Sequence, residues 1–162
     1  MARVSFALLL ALTALLQATF LPALGVIAIL PDFALLLLLV WSASRGMVEG
    51  MTWALGLGLW LDLLTLDRLG THGLSLLAVA VVGGLAGQRL FRSGIVLPLV
   101  AVVIATLAAG LVAIVVARFD GEAAGGLAMM RPIVATAFLN AVLVPVAWVV
   151  LLVADRWIPR HV

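Results

Sequence analysis

The feature that most constrains this chain is a succession of apolar runs, many of them roughly 18 residues or longer and poor in charge. A helix of that length covers about 30 Å of hydrocarbon. A water-soluble chain of 162 residues has no core large enough to hide so much apolar surface. The composition agrees, with 67% of residues apolar and 10% charged, where soluble domains carry about 25% charged residues. Mean hydropathy is +1.39. Strands of a membrane barrel would alternate in polarity over about 10 residues. Leu35 to Val40 does not alternate, so the expected class is an all-α integral membrane protein.

Arg3 ahead of an apolar run resembles the start of a secretory signal. Apolar segments of the same kind continue to the end of the chain, which favours a retained first helix. There are no cysteines, which excludes disulfides and thiolate metal sites. All the basic residues other than the two histidines are arginines, scattered singly between apolar runs. That pattern carries topology, and no nucleic-acid partner is expected from it.

Breaks and charges divide the chain into about six spans, roughly Val4–Leu21, Leu24–Ala43, Met47–Leu64, Gly70–Gln88, Ile95–Ala117 and Pro132–Ala154. No repeat, low-complexity tail or linker interrupts them, so residues 1–162 read as a single transmembrane domain. With a cytoplasmic N-terminus, Arg3, Arg45, Arg89, Arg92, Arg156 and Arg160 fall inside, and Arg68, Arg118 and Arg131 outside. The excess of inner arginines supports that orientation. An even number of spans then puts the C-terminus inside too. The expected fold is a six-helix transmembrane bundle, N-in and C-in.

The second span is irregular. Pro31 suits the first position of a helix, and Asp32 the positive end of its dipole. A helix from Pro31 to Ser44 is only about 21 Å long, too short to cross. Either Leu24–Leu30 completes the crossing with a break at Pro31 or the loop dips into the outer leaflet, the broken backbone then being covered by protein or a cavity; the other reading is a continuous helix kinked there.

Small residues at four-residue spacing mark where helices approach closely in lipid. Gly50, Ala54 and Gly58 form such a line in the third span, with Asp62 at the next step. Gly83 with Gly87 and Ala80 with Gly84 do so in the fourth, and Ala101, Ala105, Ala109, Ala113 and Ala117 in the fifth. Thr13 and Gln17 share a face of the first helix, and Thr136 and Asn140 a face of the sixth. An ionised carboxylate at a helix centre costs about 2.5–3.5 kcal/mol by insertion scales, so Asp62 is expected to have a partner.

Gln17, Asp32, Asp62 and His72 all fall in the outer half of the bundle in this orientation. They read either as a polar pocket or partner-docking notch opening outward, with Asn140 as a further candidate, or as a hydrogen-bonded plug that fixes packing. Tryptophans such as Trp41, Trp53, Trp148 and Trp157 read as interface anchors or packing residues. No hydrolase, metalloprotease or nucleotide-binding motif is present. The longest loop, Arg118–Arg131, reads as a flexible turn. No enzymatic activity, cofactor or metal is expected.

The order of motifs in the middle of the chain is more specific than any one of them. Pro31-Asp32 begins an aliphatic run, followed by Arg45-Gly46, then Gly50, Gly56 and Gly58 ahead of Leu61-Asp62-Leu63. Leu69-Gly70-Thr71-His72-Gly73-Leu74 starts the next helix. This order resembles the bacterial rod shape-determining protein MreD family, well over Pro31 to Arg92 and elsewhere by hydropathy. One departure is Arg68, where the family often has proline. The resemblance implies a non-enzymatic scaffold in the bacterial inner (cytoplasmic) membrane, acting in peptidoglycan synthesis as part of the cell-wall elongation machinery. It would bind the membrane helix of MreC and connect through it to MreB, RodA and the class B penicillin-binding transpeptidase. The family also looks distantly like the substrate-binding components of energy-coupling-factor vitamin transporters, which would suit an outward polar pocket.

Overall fold

The computed structural model describes residues 2–20, 31–66, 69–119 and 126–155, with side chains described for 3–19, 31–66, 69–119 and 130–145. Among these residues all the regular structure is helical. Helix α1 (Ala2–Leu15) continues into a single π-helical stretch, Leu16–Phe20. It is followed by α2 (Phe33–Arg45), α3 (Met47–Thr65), α4 (Thr71–Ala86), the short α5 (Arg89–Arg92), α6 (Val96–Phe119) and α7 (Gly126–Asp155).

Each junction has a local cause. Asp32 caps α2, its side chain accepting from the Leu35 N–H. Gly46, at φ +102°, ends α2 and lets α3 begin one residue later. Its N–H closes onto the Ser42 carbonyl. Gly87, at φ +50°, ends α4 in the same way and turns the chain into α5. Pro98 falls in the first turn of α6, where no intrahelical N–H is lost.

Helix α4 is central, packed on α2, α3 and α6, while α1 lies against α2 and α3 and α7 packs mainly on α6. Helix α2 supplies much of the core through Ala34, Leu35, Leu38 and Leu39, facing Leu76, Val79 and Ala80 of α4. Outward positions are apolar as well, including Leu8, Leu12, Leu63, Leu85, Val115 and Phe138. Such an exterior suits lipid and not water. Two helices, α3 and α6, are long and apolar enough to cross a bilayer by themselves. The others among the described residues fall into shorter apolar stretches, such as α2 at 13 residues, about 20 Å.

Three sequence expectations change here. Pro31 precedes α2 and lies outside it, so the kinked continuous helix is excluded; Asp32, not Pro31, makes the helix start because its side chain supplies the cap. What Leu24–Leu30 does lies outside the described residues. The last helix starts at Gly126, not Pro132, and carries Pro132 and Pro145 inside it. A proline removes one N–H and crowds one turn, which a helix in lipid tolerates when its neighbours compensate. Arg131 therefore belongs to α7 and not to a loop, and residues 120–125 of the expected flexible turn lie outside the described residues.

Candidate functional site

The polar candidates Gln17, Asp32, Asn140, Asp62 and His72 fall into two nodes. The first gathers around Asp32 at the start of α2. Gln17, in the π-helical stretch, donates from Nε2 to Asp32 Oδ1 at 3.0 Å, and its Oε1 accepts from the Ala34 N–H at 3.4 Å. Widening of a helix by one residue per turn is common where a side chain has been re-aimed for function or packing. Asp32 Oδ1 also accepts from the Leu35 N–H at 2.9 Å. Asn140, near the middle of α7, accepts the Asp32 N–H at 2.8 Å and donates to Thr106 Oγ1 of α6 at 3.1 Å. Thr106 donates in turn to the Val102 carbonyl. The backbone N–H at the start of α2 is thus satisfied by a side chain 108 positions away.

The second node is Asp62, on the face of α3 that meets the start of α4. Its Oδ2 accepts from the Gly70 N–H at 2.6 Å, and its Oδ1 from the His72 N–H at 3.0 Å. His72 Nδ1 lies 2.8 Å from the same Oδ1. Asp62 is 1% exposed and the His72 side chain 36%. A carboxyl group here satisfies N–H groups that the first turn of α4 cannot pair internally.

Asp32 stands about 20 Å along α2 from Arg45, and Asp62 about 22 Å along α3 from Met47. The two carboxyl groups therefore sit at similar heights along their helices. They serve different helix pairs, however, and the hydrogen bonds just described share no residue between the nodes. Hydropathy fixes height along a helix and leaves its direction around the axis open, so the single cluster expected from sequence divides. Among the described residues every buried side-chain nitrogen or oxygen has a hydrogen-bond partner.

The small residues are placed as follows. Gly50 abuts Ser42 of α2, and Ala54 is fully buried. Gly58 meets the backbone of Gly73, so that a Cβ there would overlap it. Gly83 faces the Leu39 carbonyl, 2.6 Å from where a Cβ would stand. Ala105 is fully buried, Ala109 packs on the core, and Ala113 and Ala117 are partly exposed beyond it. Gly87 departs from its expected role: it terminates α4, and the nearest atom to its Cβ position is the Gly84 carbonyl of its own helix.

Sequence reasoning missed several groups. Ser42, fully buried, donates to the Ala80 carbonyl at 2.6 Å and is the point where Gly50 of α3 and Gly83 of α4 both reach α2. Its signal was available as a polar residue at the end of an aliphatic run, opposite glycines on two neighbouring helices. Thr106 was obscured by the alanine line beside it. At the other end of the bundle, Arg3 of α1 pairs with Glu49 of α3 at 3.0 Å, and Trp41 Nε1 donates to the same carboxylate at 3.3 Å. Phe6 stacks on Trp41 at 3.7 Å, with Trp53 edge-on to both rings. Trp41 and Trp53 thus pin α1 to α2 and α3, while Trp148 and Trp157 lie outside the described side chains.

Comparison with known sequences bears on this arrangement directly. No curated protein and no solved structure matches the chain. A family model described as rod shape-determining protein MreD matches residues 1–155. The match runs from α1 to the last residue of α7 and so takes in both polar nodes. The chain belongs to the MreD family of membrane proteins, which take part in determining rod shape.

Proposed function

We propose that this protein is a non-enzymatic scaffold of the cell-wall elongation complex, a multi-pass subunit of the bacterial inner membrane with six spans and both ends cytoplasmic. It holds the membrane helix of MreC and through it is linked to RodA, the class B penicillin-binding transpeptidase and MreB. The observation that carries this reading is the family match over residues 1–155. The polar chemistry supports it: Gln17, Asp32, Asn140 and Thr106 are bonded to one another or to backbone, and Asp62 to the start of α4. Groups spent on capping the start of α2 and joining α3 to α4 serve a rigid docking body. No specific observation favours the vitamin-transporter reading.

Affinity capture of the tagged full chain from native membranes tests the proposal. MreC is expected in the eluate in near-stoichiometric amount, with the synthases in lesser amount. An eluate without MreC, from protein that melts normally, would overturn it.

A further inference from the structure

The bundle end that carries the α2–α3 and α4–α5 junctions is basic. Helix α2 ends on Arg45, and Met47 begins α3 two residues later. Met47 abuts Gly84 of α4, so Arg45 and the Arg89–Arg92 turn are carried by segments in contact. Within α5, Leu90 is buried and Phe91 packs on the core, while Arg89 and Arg92 are exposed. Three residues apart, they lie on one side of the turn. The Arg45 guanidinium is 5.4 Å from the centre of the Trp41 ring. Glu49 is already taken by Arg3. Among the described residues, no acidic side chain pairs with Arg45, Arg89 or Arg92.

The apolar neighbours of these arginines matter equally. Leu85 precedes α5 and Ile95 and Val96 follow it, all exposed. Cations bracketed by exposed aliphatic side chains, at the ends of helices with a lipid-facing exterior, match a partner that has both a phosphate and acyl chains. A soluble acidic segment would match the charge alone.

We propose that Arg45, Arg89 and Arg92 form a binding surface for anionic phospholipid headgroups, with α5 lying along the headgroup layer. Guanidinium groups offer paired donors to a phosphodiester. Leu90 and Phe91 hold α5 at the boundary between headgroup and acyl chain, and the Trp41–Trp53 pair stands at the same end. An arginine near an anionic membrane surface contributes about fivefold in affinity, so three together give a preference on the order of 100-fold.

The test titrates the purified full chain, in neutral micelles, with fluorescent phosphatidylglycerol or fluorescent phosphatidylcholine and reads anisotropy. The wild type is expected to prefer phosphatidylglycerol, and rising NaCl to erode that preference. The combined Arg45→Gln, Arg89→Gln and Arg92→Gln variant should lose it on the order of 100-fold. Arg118→Gln with Arg131→Gln, at the opposite end, should keep it. Arg92→Gln alone, an exposed change that leaves packing intact, should lose about fivefold and covers the case in which the triple variant misfolds. Equal binding of the two lipids by the wild type overturns the proposal, as does full preference in the arginine variants. Tighter binding of a polyglutamate peptide than of phosphatidylglycerol at these arginines would also overturn it, marking a protein-docking surface instead.

Discussion

The two polar nodes solve one problem at different ranges. At Asp62 the carboxyl group reaches backbone N–H groups 8 and 10 residues ahead, joining a helix end to the next helix start. At Asp32 the chain calls on Gln17 behind it and on Asn140 and Thr106 far ahead, and so ties α1, α2, α6 and α7 together. A local node of this kind forms once α3 and α4 make a hairpin. The distributed node requires nearly the whole bundle to be assembled. Asp62 is therefore expected to govern the stability of one helical hairpin, and Asn140 the placement of α7 on the remainder.

The largest effect that separates the two regions belongs to Gly58. Its neighbour is the Gly73 backbone, which cannot rotate aside as a side chain would. Gly58→Leu is expected to destabilise the α3–α4 hairpin by about 3 kcal/mol or more, read as loss of the folded band in a sodium dodecyl sulfate titration of mixed micelles. Normal expression and unfolding of that variant would show that α3 and α4 do not meet there.

Asp62→Ala comes next. It leaves the Gly70 and His72 N–H groups without their acceptor, at roughly 2–3 kcal/mol, because water admitted beside the partly exposed His72 offsets some of the loss. Asp62→Asn keeps one acceptor oxygen and should recover part of the difference in the same titration. An alanine variant as stable as wild type would mean that α4 starts without help from α3.

The contrast between the nodes also explains what could be read from sequence. Asp62 is buried on α3 together with Gly50, Ala54 and Gly58, a face that four-residue spacing alone defines. Its donors lie within ten residues, so a local pattern contains them. Asn140 was legible only as a polar residue on α7. Its bond to Asp32 depends on how α7 rotates against α2, and nothing in either segment encodes that angle. Gly87 misled for a related reason: four-residue spacing from Gly83 is common both to a packing line and to a helix terminator, and the positive φ decides between them. The aliphatic runs match α3, α4 and α6 to within a few residues, whereas α2 starts at Phe33 and not at Leu24, and α7 starts at Gly126 with Pro132 inside it.

At the distributed node the expected losses are smaller. Asn140→Ala removes the acceptor of the Asp32 N–H and the donor to Thr106, at about 1–2 kcal/mol. Thr106→Val, which removes one partner of that amide and preserves shape, should cost about 0.6 kcal/mol, the average for hydrogen bonds between membrane helices. Both losses are to be read in the same micellar titration. A Thr106→Val loss as large as that of Asn140→Ala would place the weight of the node on α6 and not on the start of α2.

The smallest expected quantity is the coupling between the nodes, and it is the most discriminating. Asp62 acts across α3 and α4, Asn140 across α2, α6 and α7, and their described hydrogen bonds have no residue in common. Sites without shared partners add to within about 0.5 kcal/mol. The Asp62→Asn and Asn140→Ala double variant is therefore expected to lose the sum of the single losses within that margin. Central α4 touches both α2 and α3, which gives coupling a physical route if the bundle transmits one. A deviation from additivity above about 1 kcal/mol would show that the two nodes, on different helix pairs, act through α4 as one unit. Additivity would instead leave two independent clasps, so that movement at one, on docking a partner helix, need not open the other.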